Sequence, residues 1–321
     1  MEKLYDVTAL GELLIDFTEN GTSSQGNPLL EANPGGAPCN LLAMLAKLGH
    51  RTAFIGKTGC DSFGRMLRER AESVGIDMSA LKMDPEIPTT LAFVHTYPDG
   101  DREFSFYRKP GADQMLREDE LDLDKIASSR IFHFGTLSTT DEPARSATYR
   151  AVSYAKEHGC LISFDPNLRP PLWKSLDDAK KQIEYGLSQC DILKIADNEI
   201  EFMTGETDID AGIKKILEQF PIPLVFATMG KEGSKAFYHD SIVTAAPFLT
   251  DRTIETTGAG DTFGGCALHF ILQWGIENLS NEQLHTLLTF SNAAASLVTT
   301  RKGALCVMPE KEEIERFIHQ S

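Results

Sequence analysis

Short apolar runs typical of β-strands alternate with longer helical runs along nearly the whole chain. The strand-like run Val7–Leu10 precedes a helical stretch from Pro38 to Leu48, and the run Thr52–Ile55 precedes another near Phe63–Val74. A repeated strand–helix order is typical of parallel strands covered by helices. The pattern therefore predicts an α/β fold with a mainly parallel central sheet.

The alternation continues in the second half of the chain and then ends in a hairpin. Further strands and helices are expected, in chain order, at Ile131–Phe134, Pro143–His158, Leu161–Phe164, Leu176–Leu187, Asp191–Ile195, Ala211–Gln219 and Leu224–Ala227. After them, Lys235–Tyr238 and Ile242–Ala245 flank His239-Asp240, which indicates an antiparallel hairpin.

Two segments interrupt the alternation. Leu13–Phe17 leads into a polar stretch from Glu19 to Asn33, and Thr89–Thr96 can pair with Glu103–Tyr107 across the turn Pro98-Asp99-Gly100-Asp101. Neither segment is followed by a helix that could cover it. We therefore expect a small β-sheet lid that projects from the main body over the strand ends. Its segments are expected at about 12–34 and 87–111, within one domain that spans residues 1–321.

Composition excludes several classes of function. The chain has 321 residues and a net charge of −16, which argues against binding to nucleic acid or to anionic membranes. No apolar run approaches the roughly 20 residues of a membrane helix, and no secretion signal is recognisable, so a cytoplasmic location is expected. The six cysteines form no C-x-x-C pair, which disfavours a disulfide framework or a zinc site.

The segment Thr256–Phe263, with the sequence TTGAGDTF, is the most informative motif. The residues from Asp261 to Trp274 can form a helix with one apolar face, and Gly275 can end it. Small residues let the backbone turn tightly into the helix start, where free N–H groups create an anion site. A carboxylate is unusual there. Asp261 is either a helix N-cap or a functional group.

Two features near the N-terminus suit a sugar ligand. Gly35 and Gly36 precede a helix and allow a ligand to approach the backbone, while Asn40 offers a donor and an acceptor. The same residues are also common at the boundary between a loop and a helix. Asp16 lies in an apolar strand-like run, either on a solvent face or as an acceptor for two neighbouring hydroxyls.

Polar clusters also follow three of the expected strands, at the sheet edge where α/β folds bind ligands. Arg169 suits a phosphate oxygen, although the preceding Asp-Pro-Asn is also a common turn sequence. Asn198 and Glu201 share a helix face and could hold water molecules around Mg²⁺, or simply complement the helix dipole. The glycines of Thr228–Gly233 could approach a nucleotide or form a plain turn.

Motifs of other enzyme classes are missing from the sequence. It contains no G-x-G-x-x-G, H-E-x-x-H or G-x-S-x-G, so dinucleotide oxidoreductases, zinc hydrolases and serine hydrolases have no support.

Taken together, Gly35-Gly36…Asn40, Asn198…Glu201 and TTGAGDTF resemble the ribokinase-like (PfkB) carbohydrate kinase family, and the resemblance spans the entire chain. Within that family, four segments are most similar to fructokinases: Gly11–Phe17, Phe104–Arg108, Phe132–Gly135, and Phe164–Arg169 with Leu172-Trp173. The resemblance implies a ribokinase-like three-layer α/β/α fold with a β-sheet lid.

The resemblance also implies a reaction, the transfer of the γ-phosphoryl group of ATP to a hydroxyl of D-fructose. Asp261 would be the base, and the N–H groups of Gly258, Ala259 and Gly260 would form the anion hole. Mg²⁺ would be held through water by Asn198 and Glu201. A 2-keto-3-deoxygluconate kinase, or another ketose or ribose kinase, is the alternative within the family, and a noncatalytic sensor is the alternative outside it.

The remaining site residues are likewise implied by the resemblance. The sugar would contact Asp16, Gly35, Gly36, Asn40, Phe104, Arg108 and Arg169, and the nucleotide would contact Lys194, Thr228, Gly230, Gly233, Gly260 and Asn292. A monovalent cation site would involve Glu255, Thr257 and Gly303. Many relatives have Asp at position 255, and the longer Glu255 is expected to shift or abolish that site, which argues against activation by K⁺. Phe104 and Phe106 share a face of the lid hairpin, so a homodimer through the lid is expected.

Overall fold

The structure is a computed structural model, and it describes residues 3–96 and 102–320. The first strands are β1 (Tyr5–Leu10), β2 (Leu14–Thr22), β3 (Pro28–Gly35), β4 (Thr52–Gly59), β5 (Ile76–Asp77), β6 (Leu81–Asp84), β7 (Leu91–Thr96) and β8 (Arg102–Tyr107). The later strands are β9 (Ser129–Gly135), β10 (Leu161–Asp165), β11 (Ile192–Ala196), β12 (Leu224–Thr228), β13 (Ser234–Tyr238) and β14 (Ser241–Ala245).

Ten α-helices lie within the described residues. They are α1 (Ala37–Lys47), α2 (Ser62–Ser73), α3 (Leu123–Ala127), α4 (Ala144–Glu157), α5 (Leu176–Gln189), α6 (Asp197–Thr204), α7 (Ile209–Gln219), α8 (Ala259–Trp274), α9 (Asn281–Val298) and α10 (Lys311–Gln320).

The central sheet confirms the predicted α/β architecture. Its strand order is β14-β13-β12-β11-β10-β9-β1-β4-β5, and β6 pairs with the end of β4. The strands from β12 to β5 are mutually parallel, whereas β12, β13 and β14 pair antiparallel as the predicted hairpin requires. Strands linked by crossover helices therefore run in one direction and end at one edge.

Two hydrophobic cores lie on opposite faces of this sheet. On β12, Leu224 and Phe226 pack into the core that contains α1, α8 and α9, whereas Val225 and Ala227 pack into the core that contains α4, α5 and α7. Successive strand residues point to opposite faces, so a strand with helices on both sides must be apolar throughout. The continuous apolar runs of the sequence have this cause.

A second, four-stranded sheet forms the lid sheet, with the order β3-β2-β7-β8. The hairpin of β7 and β8 was predicted, and its turn, residues 98–101, lies outside the described residues. The polar stretch after Phe17 forms the rest of β2 and most of β3, which extends the sheet beyond the expected strand. Phe17 of β2 stacks on Phe93 of β7 at 4.9 Å between ring centroids, which joins the two hairpins.

No helix among residues 3–96 and 102–320 is both long and apolar enough to cross a membrane.

The contact between α5 and β10 yields a test of core packing. A Cβ added at Gly186 would lie 2.2 Å from Cζ of the fully buried Phe164, so Gly186→Ala forces that ring to move. We expect overpacking of about 1–3 kcal/mol to outweigh the gain of roughly 1 kcal/mol in helix propensity. Urea denaturation should therefore give a lower free energy of unfolding. The control Lys181→Ala, on the exposed side of α5, should change it by less than about 0.5 kcal/mol.

Candidate active site

A cavity of about 590 Å³ lies between the carboxyl edge of the central sheet and the lid sheet. Most predicted site residues line it: Asp16, Gly36, Asn40, Arg169, Lys194, Asn198, Thr228, Gly230, Gly233, Thr257, Gly258, Ala259, Gly260, Asp261 and Asn292. Of the predicted residues whose side chains the structure describes, Gly35, Arg108, Glu201, Glu255 and Gly303 do not line it. Phe104 belongs to β8, and its side chain lies outside the described part of the chain.

Helix α8 starts earlier than the sequence predicts. Gly258 is its N-cap with φ of +79°, and a Cβ at this position would lie 2.4 Å from the Cβ of Ala304. Both the backbone angle and the close contact favour glycine. Asp261 therefore lies inside the first turn, and the interpretation of its side chain as the helix cap is wrong.

The backbone amides at this helix start are partly free. Within the described residues, the N–H groups of Gly258 and Gly260 have no backbone acceptor, whereas the N–H of Ala259 donates to the carbonyl of Thr256 at 3.3 Å. The first N–H groups of a helix lack internal partners and carry the positive end of its dipole. The start of α8 thus offers two free amides to an anion, one fewer than expected.

The carboxylate of Asp261 is held by a side chain from another helix. Asn40 Nδ2 donates a hydrogen bond of 2.8 Å to Asp261 Oδ2. Burial raises the pKa of Asp261 to about 6, although the hydrogen bond from Asn40 opposes the shift. The Oδ1 atom of Asn40 is buried and has no hydrogen-bond partner among the described residues. Asn40 can therefore fix the Asp261 carboxylate and still accept a hydrogen bond from a ligand hydroxyl.

The glycine pair before α1 is required by close contacts. Gly36 has a φ of +127°, and a Cβ there would lie 2.4 Å from the carbonyl oxygen of Glu12. A Cβ at Gly35 would lie 2.3 Å from Oδ2 of Asp16. Gly35 thus lies behind Asp16 and leaves room for its carboxylate.

Asp16 lies on β2 and faces the cavity from the lid side. Burial raises its pKa to about 7, while the charge of Arg169 lowers it. Arg169 is exposed and comes from the loop after β10, and its charge also lowers the pKa of Asp261. The lid, the central sheet and α8 therefore each contribute a charged group to one space.

Lys194 forms a buried ion pair beside the start of α8. Its Nζ atom lies 3.0 Å from Oδ2 of Asp165, and a Cβ at Gly260 would lie 3.0 Å from the same Nζ atom. Burial alone would lower the pKa of Lys194, but the charges of Asp165 and Glu199 raise it overall. The ammonium group thus remains charged next to the free amides.

The predicted magnesium pair is not assembled at the cavity. Asn198 lines it, but Glu201 is exposed and does not, and Glu199 lies there instead. Glu199 Oε2 accepts the N–H of Ala196 at 2.8 Å and Oε1 accepts that of Leu168 at 2.7 Å, so its carboxylate turns inward. Glu199, and not Glu201, is thus the carboxylate of α6 that lines the cavity, and burial raises its pKa.

Contrary to the prediction, Arg108 does not line the cavity. Its guanidinium group is buried and bonded to Asp113 at 2.8 Å, to the hydroxyl of Thr140 at 2.9 Å and to the carbonyl of Leu137 at 2.8 Å. With these partners it anchors the end of β8 to the main body. Phe106, two residues earlier, lines the cavity.

The other end of the cavity contains the predicted nucleotide residues. Asn292 Nδ2 donates to the carbonyl of Ala246 at 3.0 Å, and a Cβ at Gly233 would lie 2.3 Å from the carbonyl of Ala245. Both residues therefore fix the segment after β14, which adds Phe248 and Leu249 to the cavity wall. An apolar wall beside glycine-rich backbone fits a flat ring and a phosphate chain.

The residues predicted for a monovalent cation are only partly at the cavity. Thr257 lines it, while Glu255 is buried nearby and its charge raises the pKa of Asp16, an effect secondary to burial. Gly303 has a φ of +77° and lies against Asn33 of the lid sheet. Cation binding by this group stays a prediction.

Known proteins resemble the chain over nearly its whole length. Residues 5–311 match the model of the pfkB family carbohydrate kinases. The chain belongs to this family. The kinase is 42% identical over 315 residues to "Probable fructokinase-2" of Arabidopsis thaliana, which covers 97% of the chain and 95% of that protein. It is 38% identical over 317 residues to "Fructokinase-1" of Zea mays, covering 98% of both.

Solved structures confirm the ribokinase-like fold of the kinase. A fructokinase from Xylella fastidiosa with bound ATP superimposes with a TM-score of 0.89 at 27% identity and covers 99% of both chains. A double-mutant fructokinase from Vibrio cholerae O395, bound to fructose, ADP and potassium ion, gives a TM-score of 0.87 at 28% identity, again over 99% of both chains. The family resemblance inferred from the motifs is thereby confirmed.

Three carboxylates of the kinase site were not identified from the sequence. Glu12 and Glu199 line the cavity, and Asp165 pairs with Lys194, which also lines it. All three lie within segments that the sequence singled out, namely Gly11–Phe17, Phe164–Arg169 and Asn198–Glu201. The positions of two of them in the secondary structure could have identified them. Asp165 ends a buried strand, and Glu199 is the third residue of α6, where a carboxylate can accept a hydrogen bond from the helix start.

The raised pKa of Asp261 yields a test of stability against pH. A carboxyl group with a pKa of about 6 in the folded kinase and about 4 when unfolded favours the folded state below pH 4, and this contribution is lost as the pH rises through 6. Asn cannot ionise, so Asp261→Asn should be more stable than the wild type at pH 8. We expect about 1 kcal/mol, since the half-buried group is partly screened by solvent.

Thermal unfolding at pH 4 and pH 8 measures this difference. The gain should shrink toward pH 4, and the exposed control Asp240→Asn should show no pH-dependent gain. Equal stability of Asp261→Asn and the wild type at pH 8 would contradict the assigned shift.

Proposed function

We propose that this PfkB kinase is a fructokinase, which transfers the γ-phosphoryl group of ATP to a hydroxyl of D-fructose. The observation that carries the proposal is the Asp261 carboxylate, held by Asn40 beside the free amides of Gly258 and Gly260. The names of the relatives, and the fructose and ADP bound in the Vibrio cholerae structure, support the choice of substrates.

The chemistry follows from that pairing of a carboxylate with an anion site. Asp261 orients the attacking hydroxyl toward the phosphorus atom and takes its proton. Because the transition state of phosphoryl transfer is loose, the proton leaves late, and a carboxylate of modest basicity is sufficient. The amides of Gly258 and Gly260, with the ammonium group of Lys194, stabilise the charge that develops on the transferred group.

The sugar is proposed to bind on the lid side of the cavity. Asp16 can accept hydrogen bonds from two neighbouring hydroxyls, and the unpaired Oδ1 of Asn40 can accept another. Arg169, from the opposite wall, adds a cation close to both carboxylates. Phe106 closes this end with an apolar surface.

The nucleotide is proposed to lie along the strand ends, with its phosphates toward α8. Gly230 and Gly233 allow the backbone to approach it, Thr228 and Asn198 add polar groups, and Asn292 fixes the wall beside it. Asn198 and Glu199 both line the cavity and would hold a hydrated Mg²⁺ ion through its water molecules. When bound, Mg²⁺ neutralises phosphate charge, which this acidic chain cannot do through its overall field.

A panel of sugars tests the substrate. A coupled assay of ADP release should give efficient turnover with D-fructose. Rapid turnover of 2-keto-3-deoxygluconate or of ribose without turnover of fructose would replace fructokinase by the corresponding kinase of the same family.

Removal of the base tests the mechanism. Asp261→Ala should lower kcat by about 10²–10⁴-fold, because the hydroxyl loses both its orientation and its proton acceptor. Circular dichroism should show an intact fold, and Asp240→Ala at the hairpin tip should keep the wild-type kcat. A folded Asp261→Ala variant that retains most of its activity would exclude this role.

A homodimer through the lid sheet is a further part of the proposal. Tyr107 on β8 and Leu29 and Leu30 on β3 are large apolar side chains that remain exposed on the lid sheet. A second copy could cover them. Light scattering under assay conditions should give twice the monomer mass, and a monomer would remove this part without affecting the reaction.

A further inference from the structure

Glu12 is a buried carboxylate for which the proposed reaction gives no role. It lies between β1 and β2, is 3% exposed and borders the cavity. Its Oε1 atom accepts the N–H of Ala37, the first residue of α1, at 2.9 Å. Burying a carboxylate is costly unless its hydrogen bonds are made. This bond therefore accounts for the placement of Glu12 at the start of α1.

Helix α1 has no capping side chain of its own. Its N-cap is Gly36, which cannot satisfy the first N–H groups of the helix. Glu12 supplies the acceptor from a distant segment instead. The two segments are also in close contact, since a Cβ at Gly11 would lie 2.6 Å from Cγ of Pro38. A shift of Glu12 must therefore move the first turn of α1.

That first turn carries the residue that holds the base. The N–H of Asn40 donates to the carbonyl of Gly36 at 2.9 Å, so Asn40 closes the turn that Glu12 anchors. The side chain of Asn40 then donates to Asp261. An unbroken series of hydrogen bonds thus connects Glu12 with Asp261 through the start of α1.

We propose that Glu12 is a positioning residue, which fixes the first turn of α1 so that Asn40 holds Asp261 in line for phosphoryl transfer. The proposal rests on the proposed function, and it assigns Glu12 the role of a hydrogen-bond acceptor for Ala37. The charge of Glu12 is not required for this role. The role depends on the length of the side chain and on its acceptor oxygen.

Two variants separate these roles. Glu12→Gln loses the charge and keeps an oxygen at the same reach, so kcat for fructose should stay within about threefold of the wild type. Glu12→Asp keeps the charge and is too short to reach Ala37. Its kcat should fall by about 10- to 100-fold, as a misplaced base implies, while KM for ATP stays within about twofold. The control Asp208→Ala removes a carboxylate that accepts the N–H of Ala211 at the start of α7, and it should keep its kcat.

A double-mutant cycle with Asn40→Ala tests the path. Once Asn40 is removed, Glu12→Asp should lower kcat by less than about threefold more, because the two residues act in series. A full additional loss would reveal a merely structural role and overturn the proposal. So would a Glu12→Asp variant with wild-type kcat, or a Glu12→Gln variant that loses more than tenfold while folded. If Glu12→Asp does not fold, the Glu12→Gln variant decides. A loss of kcat of more than tenfold in this variant while it is folded overturns the proposal.

Amide hydrogen exchange keeps this test independent of the proposed reaction. An inactive wild type would reject the proposed function alone. In that case, faster exchange at residues 37–40 in Glu12→Asp than in the wild type and Glu12→Gln supports the anchoring role, and equal exchange overturns it.

Discussion

The hydrogen bond between Asn40 and Asp261 requires that two helices from distant parts of the chain pack closely. Its two residues are 221 positions apart and belong to α1 and α8, which pack side by side. Their backbones approach closely because α8 has glycine at the contact, where a Cβ at Gly265 would lie 2.9 Å from the carbonyl of Leu41. A larger residue there would separate the helices and lengthen the bond. The composition of α8 thus serves the site as much as the core.

Charge is the second constraint, because an acidic chain is proposed to bring a nucleotide next to carboxylates. Asp16 and Asp261 border the same cavity, and burial raises the pKa of both. Ionised together they would repel a phosphate chain. Among the described residues, Lys194 and Arg169 are the cations that act on these carboxylates, the amides at the start of α8 add to them, and Lys231 lies elsewhere on the cavity wall. Their placement at the strand ends, and not the overall field of the protein, allows an anion to bind there.

Repeating elements and local turns can be predicted from the sequence. The orientation of a side chain cannot be predicted where its hydrogen-bond partners come from distant segments. The strand–helix alternation specifies the parallel sheet, and TTGAGDTF specifies a tight turn into a helix. Position along α6 alone does not predict which carboxylate turns inward, and Glu199 lines the cavity where Glu201 is expected. Glu199 does so through the N–H of Leu168, 31 residues away. Arg108 was misassigned for the same reason, since Thr140 and Leu137 bind it from another part of the chain.

The lid completes the site because of the order of the chain. Glu12 and Asp16 are four residues apart at the passage from β1 into β2, yet one anchors α1 and the other faces Arg169 across the cavity. A movement of the lid about the connection between β1 and β2 would therefore shift the start of α1. Through Asn40 it would also shift Asp261. Binding of a ligand under the lid and alignment of Asp261 depend on one short segment, so they are expected to occur together and not as independent events.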